Sequence, residues 1–143
     1  MDRYIPNRQS LVFTYLGTCL FGALLCISGY MISPFLFNEN IFIDPIPKGA
    51  LNIFIHNLKL LPILLIPLFN WSYYVFCFSL IFISLGISFQ QFGIIQTLII
   101  LPHLPIELFA FCYCLTQKKI IPSIILLFVA AIMEYYAYVF FIA

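Results

Sequence analysis

The sequence predicts an all-α fold, a polytopic transmembrane helix bundle of about five spans forming one domain over residues 1–143. Three observations predict it. First, 64% of the residues are hydrophobic and only 8% are charged, where a soluble domain carries roughly 25% charged residues. With a mean hydropathy of +1.13, the chain lacks the polar groups to cover a water-facing surface. Second, the apolar residues form long unbroken runs, unlike the short alternating stretches of an outer-membrane barrel. Third, those runs are about 18–23 residues long, close to the ~20 needed for a helix to cross a ~30 Å hydrocarbon core. A net charge of +1 argues against nucleic acid as a partner, since that requires a basic surface.

The first ten residues are polar and include Asp2, Arg3 and Arg8; the first apolar run covers residues 11–33. A basic start followed by an apolar run can mimic a secretory signal. This run is longer than a typical signal core and further spans follow it, so it reads as a retained transmembrane helix. Gly17, Gly22, Ala23 and Gly29 give it small positions where a second helix can approach closely. Residues 34–49 form the longest polar connection, with Asn38, Glu39, Asn40, Asp44 and Lys48 among Phe and Ile residues, as in a loop lying in the membrane interface.

The second run covers 52–69, with His56, Asn57 and Lys59 near its start and Pro62 and Pro67 further on. The two prolines leave open a re-entrant path instead of a full crossing. Trp71, Tyr73 and Tyr74 follow it, as in an interfacial aromatic belt. The third run covers 72–89 and ends at a short Gln90-Gln91-Phe92-Gly93 turn. The fourth covers 94–115 and holds Leu101-Pro102-His103-Leu104-Pro105-Ile106-Glu107, where Pro102 and Pro105 predict a kink or a break. Thr116-Gln117-Lys118-Lys119 is a polar break, and the fifth run covers 120–142, interrupted by Glu134 and its neighbouring tyrosines.

Lys and Arg are enriched in cytoplasmic loops. A cytoplasmic N-terminus puts Arg3, Arg8, Lys118 and Lys119 on the inside and leaves Lys48 outside, so the expected C-terminus is external. The five cysteines, Cys19, Cys26, Cys77, Cys112 and Cys114, all fall within runs and none forms a CxxC pair. They read as small buried apolar residues, and a disulfide framework is not expected.

Ionisable groups at membrane depth are costly and are read as functional candidates. At ~1.5 Å per residue, His103 lies roughly 13 Å and Glu107 roughly 19 Å below the outer boundary. By the same rise His56 is roughly 5 Å, Lys59 roughly 9 Å and Glu134 roughly 10 Å from it. The matching depths of Lys59 and Glu134 predict an interhelical ion pair, with His103 and Glu107, four residues apart on one helix face, turned to the same polar interior. Alternatives stand beside each assignment. Lys59 snorkels to headgroups, Glu134 sits at the interface with its tyrosines, and His103 with Glu107 form a hydrogen-bonded pair that locks helix packing. A proton- or ion-sensitive site, or one that recognises a partner segment, is the functional counterpart. His56, His103, Glu107 and Glu134 are also potential metal ligands, but no HExxH-type signature accompanies them, and no metal or cofactor is expected. The sequence lacks GxSxG, Walker and paired-His protease motifs, so no enzyme activity is expected. An intramembrane hydrolase would have to rest on His103 and Glu107 alone.

Leu101-Pro102-His103-Leu104-Pro105-Ile106-Glu107-Leu108 resembles the fourth-span Pro-His-Gly-x-x-Glu-Leu motif of the stage II sporulation protein M family at Pro102, His103, Glu107 and Leu108, with Leu104 in the glycine's place. Phe54-Ile55-His56-Asn57-Leu58 is similar to that family's Phe and Asn-Asn opening of the second span, with His56 replacing one Asn. The resemblance covers most of the chain and implies a small multi-span protein of the bacterial plasma membrane. Sporulation members of that family are scaffolds in a membrane complex, and relatives occur beside ABC transporters and in bacteriocin clusters. It therefore implies a non-enzymatic accessory subunit for peptide or bacteriocin export or self-immunity, its partners the lipid bilayer, an ABC-transporter ATPase and permease, and a peptide cargo. The alternative is a proton- or ion-coupled transporter or channel component using His103, Glu107 and Glu134.

Overall fold

A computed structural model describes residues 8–36 and 49–141. Most of the expected interfacial loop at 34–49, with Lys48, lies outside these residues, as do Asp2, Arg3 and Ala143. Among the described residues all regular structure is helical: α1 (Arg8–Leu36), α2 (Ala50–Leu58), α3 (Leu61–Leu64), α4 (Asn70–Phe92), α5 (Ile94–Ile100), α6 (Leu104–Gln117) and α7 (Ile120–Phe141). Among the described residues three helices are long and apolar enough to cross a membrane: Gln9–Phe35, Asn70–Phe92 and Ile120–Phe141.

The runs at 52–69 and 94–115 are broken helices, and proline chemistry places the breaks. Pro62 has no N–H to bond the carbonyl one turn before it, so α2 stops at Leu58 and closes with a tight bond from Leu60 N–H to Asn57 O at 3.1 Å. Pro62 then occupies the first turn of α3, where a missing donor costs nothing. Pro102 and Pro105 repeat the pattern. α5 ends at Ile100, His103 becomes the N-cap residue of α6, and Pro105 sits in the first turn of α6. The other expected boundaries shift slightly. Asn70 and Trp71 open α4, and Gln90, Gln91 and Phe92 still belong to it, so Gly93 alone (φ 89°) makes the turn into α5.

α1 and α4 form the most extensive helix pair. Their contacts advance together: Thr18 meets Tyr74, Gly22 meets Phe82, and Ser33 donates to Gln90 Oε1 at 3.1 Å. The two helices therefore run parallel. A side-chain methyl at Gly86 would overlap the Cys26 carbonyl, and one at Gly29 would overlap the Ile83 carbonyl. These glycines are the condition for backbone-to-backbone approach, as at small-residue crossings of membrane helices. Gly22 meets the Phe82 ring, whereas Gly17 has no neighbour within 4 Å of a Cβ position.

The buried stripe on α4 is Asn70, Tyr74, Phe78, Phe82 and Gly86, a repeat of four. A four-residue step overshoots the 3.6-residue turn by about 40°, so the stripe winds around the helix. Its early members face α6, where Phe78 and Phe111 meet edge to face at 5.6 Å. Its later members face α1. α6 and α7 are joined by Lys118 and Lys119 alone, Lys118 taking the left-handed conformation (φ 54°) that turns the chain back. On α7 Ser123, Leu127, Ala130, Glu134 and Ala137 alternate in steps of four and three, all but Glu134 being buried, and Ala131 is buried beside them. The small side chains let α2 and α6 pack close beside that carboxylate.

Candidate functional site

Four of the six predicted polar residues come together between α2, α6 and α7. His103 sits in the α5–α6 break, and its Nε2 lies 3.6 Å from Glu134 Oε2 on α7. The His103 carbonyl caps α6 by accepting from Ile106 N at 3.0 Å and Glu107 N at 3.1 Å. One turn on, Glu107 Oε1 accepts a hydrogen bond from Asn57 Nδ2 of α2. Glu107 and Glu134 are close enough for their charges to interact, so the two pairs form one polar cluster. The His103 side chain is 8% exposed and that of Glu134 is 24% exposed. Phe54 and Phe128, edge to face at 5.4 Å, join α2 to α7 beside this cluster.

The expected Lys59–Glu134 pair is not found among the described residues. Glu134 engages His103, while Lys59 and His56 are exposed. Lys59 keeps the helical conformation at the end of α2 (φ −63°, ψ −20°) and falls on the exposed face of that helix with Asn52, Ile55 and His56, so equal depth does not bring it to Glu134. Among the described residues no three His, Cys, Asp or Glu side chains converge as metal ligands would.

Two further links escaped sequence reasoning. Lys118 Nζ donates to the Leu64 carbonyl at 2.9 Å, capping the end of α3 where the chain offers no helical donor. Burial lowers the pKa of this ammonium from the ordinary lysine value. The second link crosses α1, α4 and α6. Thr18 Oγ1 and Tyr74 Oη are 2.9 Å apart, Tyr74 Oη and Cys112 Sγ are 2.8 Å apart, and Thr18 also donates to Thr14 O at 2.7 Å. Cys112 is fully buried. The repeat of four through Tyr74 on α4 was the available signal for this network, as the three-four alternation of small residues was for Glu134.

Chemically, the cluster ties two broken helices to a continuous one. Asn57 donates to Glu107 and His103 lies beside Glu134, contacts of the kind polar side chains make between packed apolar helices. No family model, no curated protein and no solved structure matches the chain.

Proposed function

We propose that this chain is a five-pass, non-enzymatic subunit of a bacterial plasma-membrane complex. In this reading it acts beside the ATPase and permease of an ABC transporter, in peptide or bacteriocin export or in producer self-immunity. The observation that carries it is how the intramembrane polar groups are used. Asn57, His103, Glu107 and Glu134 engage one another across helices, and Lys118 holds the α3 end. The outer face of α1 meanwhile exposes Phe13, Leu20, Leu24 and Phe35, a surface for lipid or neighbouring subunits. The family resemblance at Pro102, His103, Glu107 and Leu108 supports the same class.

Helix direction supports five passes. α1 and α4 are parallel, so the chain between them returns once. The short turns at Gly93 and at Lys118-Lys119 make α5–α6 a second return. The ends that carry Arg8, Lys118 and Lys119 then share one side, which the positive-inside rule assigns to the cytoplasm. A reporter fused at Ala143 is expected outside; a cytoplasmic signal overturns the topology. For function, purification in mild detergent is expected to retain an ATPase or another membrane subunit. A stable lone assembly whose transport follows pH overturns the reading.

That second outcome is the prediction of a competing reading, a proton- or ion-coupled component. It is favoured by one observation: two carboxylates and an imidazole meet at a helix break. Discontinuous helices supply such sites in transporters.

A further inference from the structure

The α1–α4 seam is closed at one end and open at the other. Toward the α4 C-terminus, Gly29 and Gly86 hold the backbones together, and the Phe82 ring covers Gly22. Toward the α4 N-terminus the large side chains also reach past α1 to α6, Tyr74 keeping its contact with Thr18. Tyr74 reaches Cys112 and Phe78 lies against Phe111, both on α6. What remains is a cleft of about 270 Å³ lined by Phe13, Gly17, Phe21, Trp71, Tyr74 and Phe78. Gly17 forms its floor with no atom within 4 Å of a Cβ position. Trp71, 52% exposed, stands at the mouth.

We infer that this cleft binds one hydrocarbon chain of a membrane lipid, from the leaflet at the α4 N-terminal end. Charge and hydrogen bonding on the walls select that occupant. No lining residue is charged, and the Thr18 and Tyr74 hydroxyls are already committed to each other, to Thr14 O and to Cys112, which leaves Thr14, Ser79 and the Trp71 indole as the other polar groups on mostly aromatic walls. A charged headgroup or a peptide backbone would lose more water there than these few groups replace. Size excludes a packed helix. A helix with its side chains is about 10–12 Å across, and the cleft is stopped at Phe82 after two turns of α1. A flexible chain needs neither width nor a donor, and it gains dispersion contacts with six aromatic side chains. Trp71 at the mouth suits the level where chain meets headgroup.

Trp71 is the only tryptophan, so it reports on the site directly. The inference rests on the membrane reading, which is checked separately by the need for detergent to extract the protein. In mild detergent, phosphatidylcholine brominated on its acyl chain is titrated into the full-length protein and Trp71 fluorescence is followed. The expected result is saturable quenching near one lipid per protein, matched by phosphatidylglycerol carrying the same chains. Gly17→Leu, at a position whose Cβ site has no neighbour within 4 Å, fills the floor and is expected to weaken the quenching at least fivefold. Val75→Phe, filling from the opposite wall, gives the same test should the first variant not fold. Quenching that rises without saturation and is unchanged in both variants means annular lipid only and overturns the inference. A change in oligomeric state in Gly17→Leu with unchanged quenching overturns it too, in favour of a side chain from a second copy.

Discussion

The His103–Glu134 contact makes the sharpest prediction, because it replaces a different pair expected from depth alone. At 3.6 Å, Coulomb's law with an effective dielectric near 20 gives an attraction of about 4–5 kcal/mol as a ceiling. Drawing both charges from water removes much of it. Glu134 also keeps 24% of its side chain exposed, which screens it further. Polar couplings between membrane helices average about 0.6 kcal/mol and reach about 1.7. We therefore expect a coupling of about 1 kcal/mol between His103→Ala and Glu134→Ala. The assay is a double-mutant cycle of unfolding in mixed micelles, followed by far-ultraviolet circular dichroism and by Trp71 fluorescence. The atoms are beyond ordinary hydrogen-bond distance, so the attraction requires the imidazolium. A cycle with no coupling refutes the contact, most decisively if Lys59→Ala and Glu134→Ala couple instead.

Other consequences are open to direct measurement. Gly86→Ala forces a methyl against the Cys26 carbonyl and is expected to cost about 1–3 kcal/mol. Gly17→Ala meets nothing and is expected to gain up to about 1 kcal/mol from helix propensity; the same unfolding assay should give the two opposite signs. Lys118→Met leaves the Leu64 carbonyl uncapped and is expected to cost about 1–3 kcal/mol. Hydrogen exchange should then accelerate over residues 61–70 before it does in α4; uniform exchange argues against the cap. In the folded protein a membrane-permeant maleimide should label half-buried Cys26 and Cys77 well before Cys112 and Cys114, which are fully buried. Equal rates refute the α6 packing.

The α1–α4 pair shows how local signals divide from tertiary ones. Gly22 and Gly29 were legible as places for close approach, because a missing side chain is a property of the residue. That Gly17, in the same helix, borders an open cleft was not legible, since it depends on where Tyr74 and Phe78 point. The polar cluster divides the same way. His103 and Glu107 were recognisable as a pair from a four-residue spacing on one helix. Their partners lay on other helices, and depth arithmetic selected Lys59 because depth fixes the height of a residue but not the face of the helix it occupies.

By itself, then, the sequence determined the helical class, the apolar runs and the sites where prolines break two of them, because hydropathy and a missing N–H act within a few residues. The tertiary structure decided which polar groups meet. Asn57 with Glu107, His103 with Glu134, and Lys118 with Leu64 are each set by the rotation and offset of separate helices. A step of a single residue around a helix swings a side chain by about 100°, so at matching depth Lys59 falls on the exposed face of α2 while Glu134 faces His103.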